Sequence, residues 1–284
     1  MTNESMRANW TTAADGWVRN ERIFDSVLAP FTSAVLAAAD LRPVQRTLDL
    51  GCGGGTLLAA AVDAGASAVG VDISPTMVAA ARTRVPAATV LEADAQTADL
   101  LEAAPGPPFD RVVSRFGVMF FDDPVQAFTN IRAATAPGGR LAFVSWRNEE
   151  IDTFILGLGP LIARLDAPPP LPVPGTPGPL GLADHDLVRR VLDGAGWGDV
   201  AIEAFDGVCD YSLDSSDGVE ERLAIALSGS LGRAVRAALE EELGPEGWGL
   251  ALDDARAELR NHLVDGAVRV VGHTWLVTAT NPVG

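Results

Sequence analysis

The chain of 284 residues contains no lysine, and all 21 of its basic residues are arginine. No Schiff-base amine is available, which excludes ordinary pyridoxal-phosphate chemistry. A P-loop is excluded too, because its lysine holds the β- and γ-phosphates, and so is a protein-kinase site with its strand lysine. The bland source of this absence is codon bias in a GC-rich genome, which the Ala, Gly, Pro and Arg content fits. Cysteine is nearly as scarce. Cys52 and Cys209 alone build neither a disulfide framework nor a cysteine-rich zinc site. No stretch nears the roughly 18 uninterrupted apolar residues of a membrane span. The N-terminal MTNESMRANW lacks a signal peptide's apolar run. These absences lead us to expect a soluble, cytoplasmic protein with no membrane partner and no metal. Cations are outnumbered, 38 acidic residues against 21 arginines, for a net charge of −17. Phosphate backbones need clustered cations, so a nucleic-acid partner is not expected. A small acidic molecule held by a few arginines stays compatible.

What is present alternates in type. Residues 1–45 carry a loosely helical stripe through Trp10, Trp17, Ile23, Phe24, Val27, Leu28 and Phe31. Pro30 should interrupt it, with a second short helix at Leu36 to Ala39. From Thr47 apolar strands alternate with helices. Strands are expected at Thr47–Leu50, Ala68–Asp72, Thr89–Glu92, Arg111–Ser114 and Arg140–Trp146. Ser74 caps a helix with Pro75 at its first position. This spacing predicts an α/β fold, a parallel sheet with helices on both faces. Residues 167–183 are rich in Pro and Gly and predict an irregular loop. Further on, we expect a helix from Leu187 to Ala195, strands at 199–205 and 274–280, and helices over 217–265.

One motif carries chemistry. Asp49 to Gly55 reads D-x-G-x-G-x-G, directly after a strand and directly before a helix. Glycines there let backbone approach a ligand and permit φ > 0, and the helix beyond adds free N–H groups. Asp72 ends the next strand, 21 residues after Gly51, where an acidic residue accepts hydrogen bonds from a ribose diol. The dinucleotide fingerprint G-x-G-x-x-G fails in both registers, since its last position falls on Thr56 or Leu58.

In these segments the sequence resembles the class I S-adenosylmethionine (SAM)-dependent methyltransferases. LDLGCGGGT is similar to the family's first motif, VDIS to its ribose-binding acidic motif and EADAQ to its adenine-contacting segment. SRFGVMFFDDP follows the fourth strand as the family's substrate-side motif does, and PGGRLAFVSW resembles the hairpin and fifth strand beyond it. The resemblance implies a Rossmann-like seven-stranded fold with a helical cap, and SAM as cofactor with S-adenosylhomocysteine as its product. It places Gly51 and Gly53 against the methionine part, Asp49 at its amino group and Asp72 on the ribose hydroxyls. Ile73 and Met77 would flank the adenine, with Asp94 and Ala95 at its amino edge. Ser114 and Arg115 would lie beside the cofactor and the methyl acceptor at the end of strand four, and Trp17 would close over the cofactor.

Other residues admit two readings. Cys52 reads as a small packed residue, because methyl transfer from a sulfonium needs no enzyme nucleophile. Trp10 could cover the cofactor or pack in the core, and Trp275 is expected in the core. His262, His273 and Tyr211 are candidate general bases, whereas His185 reads as solvated or capping. Arg115 suits either an acceptor carboxylate or a structural ion pair. Glu240 to Glu242 reads as a solvated helix face.

The organisation expected is N-terminal helices over the site (1–44), a SAM-binding core (45–147) and a Pro/Gly-rich cap loop (148–183). A helix and strand six (184–207), a helical cap insertion (208–266) and a final strand (267–284) complete it. The function expected is methyl transfer to a small-molecule or short-peptide acceptor at oxygen, with no catalytic residue assigned. Methylation at carbon or nitrogen, or a non-methylating SAM-binding role of cyclase-like or regulatory type, are the alternatives.

Overall fold

The computed structural model describes residues 3–147 and 154–283, so residues 148–153 of the expected cap loop lie outside the described residues. Three helices lead in: α1 (Asn3–Arg19), α2 (Glu21–Val27) and α3 (Ala29–Ala39). The helical stripe breaks at Leu28, with a 64° bend between α2 and α3, and Pro30 falls in the first turn of α3, where its missing N–H costs nothing. The short helix expected at Leu36–Ala39 is the end of α3.

Strands β1 (Arg46–Leu50), β2 (Ser67–Asp72), β3 (Thr89–Glu92), β4 (Phe109–Arg115) and β5 (Thr135–Trp146) pair in parallel. Helices α4 (Thr56–Asp63), α5 (Pro75–Arg84), α6 (Leu100–Ala103) and α7 (Pro124–Ala134) connect them. Ser74 caps α5 as expected, its hydroxyl accepting from the Met77 N–H at 3.4 Å. The chain continues through α8 (Gly159–Ile162), α9 (His185–Gly194), β6 (Gly198–Asp210), α10 (Val219–Ser228), α11 (Ser230–Asn261), β7 (Leu263–Val264) and β8 (Ala267–Thr280). The sheet order is β3-β2-β1-β4-β5-β8-β6, with β8 antiparallel to both neighbours. A parallel sheet sandwiched by helices is buried on both faces, and β1 is buried along its whole length.

Two elements differ from expectation. The last two long strands reach well beyond 199–205 and 274–280, pairing as far as Asp210 with Arg269. This extension carries Gly207 opposite Gly272, residues that weaken an apolar alternation and so conceal a strand. The glycines have a packing role. A Cβ at either would come within 2.9 Å of the Phe31 ring, so the pair forms a slot that the ring fills. The helices of 217–265 are also two, and the second breaks at Gly244 (φ 65°), with Pro245 following.

Phe31 is fully buried. Its ring meets Phe116, Trp146 and Phe205 edge-to-face, with centroids 5.4, 5.5 and 5.9 Å away. Phe31→Ala should therefore cost about 3–5 kcal/mol of stability, read as a lower midpoint in urea denaturation. A loss below about 1 kcal/mol would mean that the slot collapses freely.

Candidate cofactor-binding site

Where β1 ends, the chain turns through three glycines with left-handed backbone: Gly51 (φ 62°), Gly53 (φ 53°) and Gly55 (φ 90°). The turn is tied down locally. The Cys52 N–H donates to the Val71 carbonyl at 3.1 Å and the Gly55 N–H to the Cys52 carbonyl at 2.9 Å. A Cβ built on Gly53 would meet nothing within 4 Å. That open space belongs to a cavity of about 1070 Å³, counting its mouth, at the carboxyl edge of the sheet. Open α/β sheets hold ligands at this edge.

Nine of the ten residues expected at a cofactor line this one cavity: Asp49, Gly51, Gly53, Asp72, Ile73, Met77, Asp94, Ala95 and Trp17. Ser114 is the correction. It is fully buried, donates to the Leu50 carbonyl at 2.7 Å and accepts from the Gly117 N–H at 3.2 Å. Alternation along β4 turns it into the fold, and its neighbour Arg115 faces the cavity instead.

The acidic groups are held in place by backbone. Asp72 accepts from the Gly53 N–H through Oδ2 and from the Ser74 N–H through Oδ1, both at 2.9 Å. Burial pushes its carboxyl up, and the N–H groups of Ser74, Gly53 and Ile73 oppose that shift. Asp94 accepts from the Gln96 N–H at 2.9 Å. The Ala95 carbonyl is fixed by the Asn130 amide at 2.9 Å. Asp49, only 2% exposed, has its carboxyl pushed up to about 8 by burial; Arg115 opposes the shift and Asp72 adds to it. The Arg115 guanidinium donates to the Thr32 hydroxyl at 2.8 Å and stands 4.0 Å from Asp25. Burial lowers its affinity for the proton, against Asp25 and Asp49. A half-buried guanidinium and a buried carboxyl lining one cavity fit a ligand carrying both charges.

The remaining candidates sort cleanly. Trp10 lines the cavity, its ring edge-to-face with Trp17 and Phe120 at 5.8 and 5.1 Å. Cys52 is buried and burial pushes its thiol up, which suits packing and not a nucleophile. Tyr211 is buried against Arg222, its hydroxyl 3.4 Å from the guanidinium. His262 bonds the Glu258 carbonyl at 2.8 Å, His273 stands 2.8 Å from Asp206, and His185 stands 3.0 Å from Asp186. None of these four lines the cavity. The half-buried Trp275 donates its indole N–H to the Ala183 carbonyl at 2.8 Å. Sequence reasoning missed Met6, Leu28, Thr56, Phe116, Phe120 and Phe121 as lining residues. The last three stand inside SRFGVMFFDDP, where the aromatic residues were the available signal. No residue of 208–266 lines the cavity. That segment braces α1: Asn20 donates to the Ser228 hydroxyl at 3.0 Å, and Arg233 to Asn9 at 3.1 Å.

A carboxyl whose folded pKa lies above its unfolded value binds protons more tightly in the folded chain. Its contribution to stability is complete below the unfolded value and is lost as pH rises through the folded one. For Asp49 the loss runs from about pH 4 to about 8. The ligand-free protein should thus melt at lower temperature as pH rises across this window. Asp49→Asn should flatten that slope, measured by melting temperature against pH. Equal slopes in both proteins would show that Asp49 is ionised in the fold.

Residues 48–143 match the methyltransferase-domain family. An uncharacterized protein of Mycobacterium tuberculosis is 30% identical over 129 residues, which cover 44% of this chain and 46% of that protein. The chain thus spans about half the length of the first curated relatives it matches. A demethylmenaquinone methyltransferase of Paenarthrobacter aurescens is 26% identical over 181 residues, covering 61% of this chain and 70% of the relative. Among solved structures, Haemonchus contortus phosphoethanolamine N-methyltransferase 2, in complex with phosphomonomethylethanolamine and S-adenosylhomocysteine, shares the fold. Its TM-score is 0.52 at 18% identity, over 92% of this chain and 56% of that one. Residues 48–143 thus match a methyltransferase domain, within a chain that has the Rossmann-like fold of SAM-dependent methyltransferases.

Proposed function

We propose that this chain binds SAM in the carboxyl-edge cavity and directs its methyl group to a small-molecule acceptor at a hydroxyl or carboxylate oxygen. The observation that carries this reading is a glycine turn open to the cavity between two carboxyl groups, the buried Asp49 and the half-buried Asp72. When bound, SAM supplies an electrophilic methyl on a sulfonium, open to in-line displacement that leaves S-adenosylhomocysteine. The chain's own residues bind and orient. Asp72, with one backbone N–H on each oxygen, keeps acceptor capacity for a ribose diol. Ile73, Met77 and Ala95 offer apolar walls to a flat base, and Asp94 a polar edge. Asp49 and Arg115 offer a carboxyl and a guanidinium to the amino and carboxylate ends of an amino-acid zwitterion.

Trp10 and Trp17 of α1 roof the cavity and keep water from it. The 208–266 insertion acts on the site through α1, which it braces. The candidate bases outside the cavity favour an acceptor that arrives as carboxylate or phenolate, from which no proton need be removed. Catalysis then rests on alignment of the reacting atoms.

Calorimetry with S-adenosylhomocysteine tests the cofactor. Asp72→Ala should weaken binding by about 1.5–3 kcal/mol, the range for a lost hydrogen bond to a charged group. Gly53→Val should abolish binding in a folded protein, since it fills the open space and opposes the left-handed backbone. Unchanged affinity in both would place the cofactor elsewhere. Methyl-labelled SAM offered with phenols, carboxylic acids and amines tests the acceptor atom. Label appearing on nitrogen or carbon alone would overturn the oxygen assignment.

A further inference from the structure

Phe116 has the left-handed backbone (φ 61°), a conformation that is a genuine outlier for a bulky side chain. Its cause is visible. The chain leaving β4 must pass the glycine turn at backbone contact, and a Cβ at Gly117 would stand 2.5 Å from the Leu50 carbonyl oxygen. The Phe116 N–H still donates to the Val144 carbonyl at 3.2 Å, so the residue turns while tied to β5. Successive side chains of a strand point to opposite faces. Here the turn breaks that alternation, and Arg115 and Phe116 both line the cavity.

The ring is held as firmly as the backbone. It stacks on Trp146 at 4.2 Å between centroids with 13° between planes, and meets Phe31 edge-to-face at 5.4 Å. Trp146 is fixed in turn by Phe31 and Phe154, at 5.5 and 5.7 Å. Only 7% of Phe116 stays accessible, and it lines the cavity. Such strain persists where surroundings over-determine it, and it clusters at ligand clamps. A plain core phenylalanine needs neither this backbone nor a place in a cavity wall.

We propose that Phe116 is the acceptor-selecting platform: a planar aromatic acceptor stacks against Phe116 at the cavity wall, with Trp146 backing the ring from outside the cavity. The inference rests on the methyltransferase reading and names the acceptor class that reading leaves open. Aromatic rings in offset contact gain interaction beyond the burial of area alone. A saturated molecule of equal size lacks that gain.

The experiment uses the full chain. S-adenosylhomocysteine is titrated first; failure to bind the wild-type protein overturns the cofactor reading, and this inference with it. The loaded protein is then titrated with 2-naphthol and with its saturated counterpart, decahydro-2-naphthol. The wild type should prefer 2-naphthol by about three- to tenfold. Phe116→Leu should remove the preference and leave S-adenosylhomocysteine affinity within about threefold, a change under 1 kcal/mol. Phe116→Tyr, which keeps a ring, should retain it. Should Phe116→Leu fail to fold, Trp146→Leu takes its place with the same expected loss. Equal binding of the two probes by the wild type overturns the proposal. So does a preference that survives Phe116→Leu, or a loss of cofactor affinity with the preference intact.

Discussion

Gly51 and Gly117 meet backbone to backbone where β1 and β4 end, and the site is arranged around that contact. A Cβ on Gly51 would stand 2.8 Å from the Gly117 Cα, so no other residue fits without moving one strand end. Ser114 secures the approach, linking the Leu50 carbonyl to the Gly117 N–H through its hydroxyl. Three consequences follow. The glycine turn is set at the depth where Gly53 faces open space. Its N–H is brought to Asp72, which joins β1 to β2 across the cavity floor. The chain leaving β4 is forced into the turn that aims Arg115 and Phe116 the same way.

The roof is held by a different balance of forces. Arg7 of α1 pairs with Glu92 at 3.0 Å, but both side chains are more than 40% exposed. Such a surface pair contributes about 0–1 kcal/mol. The stronger ties are apolar and partly buried. Trp17 stacks on Phe24 at 3.6 Å, and Met6 and Ala14 are buried on the inner face of α1. Below them Asp25 of α2 accepts from the Thr56 hydroxyl and pairs with Arg84, both at 2.7 Å. Thr56 opens α4, directly after the glycine turn. Asp25 therefore ties α2, against whose Phe24 the Trp17 ring of α1 stacks, to the start of α4 beyond the glycine turn.

Local chemistry was legible in the sequence. The glycine turn, Asp72 at a strand end and the Ser74-Pro75 start of α5 each depend on neighbours a few residues away, and each stands where the residue types place it. Ser114 was misjudged because a position at a strand end does not tell which way its side chain points. That was decided by the alternation of β4 and by its bond to the Leu50 carbonyl, more than sixty residues earlier in the chain. Phe116 was hidden for the same reason, since its backbone angle comes from a contact across the sheet. The extension of β6 and β8 escaped because its glycines are explained only by Phe31, which lies on a helix far away in sequence.

The place of β8 in the sheet has a consequence for how the chain is made. Residues 267–280 lie between β5 and β6, pairing with Thr135–Trp146 on one side and Gly198–Asp210 on the other. Until this segment leaves the ribosome, both flanking strands present unpaired edges, the template on which nascent chains cross-associate. Closing the sheet also joins residues well over a hundred positions apart, and such non-local pairing is slow. The glycine turn, Asp72 and Asp94 lie on strands β1 to β3 and the segment that follows them, whereas the slot for Phe31 and the pairing of Trp146 wait for β8. The glycine turn with its carboxyl groups and the aromatic wall are thus acquired at different moments of synthesis, the wall last.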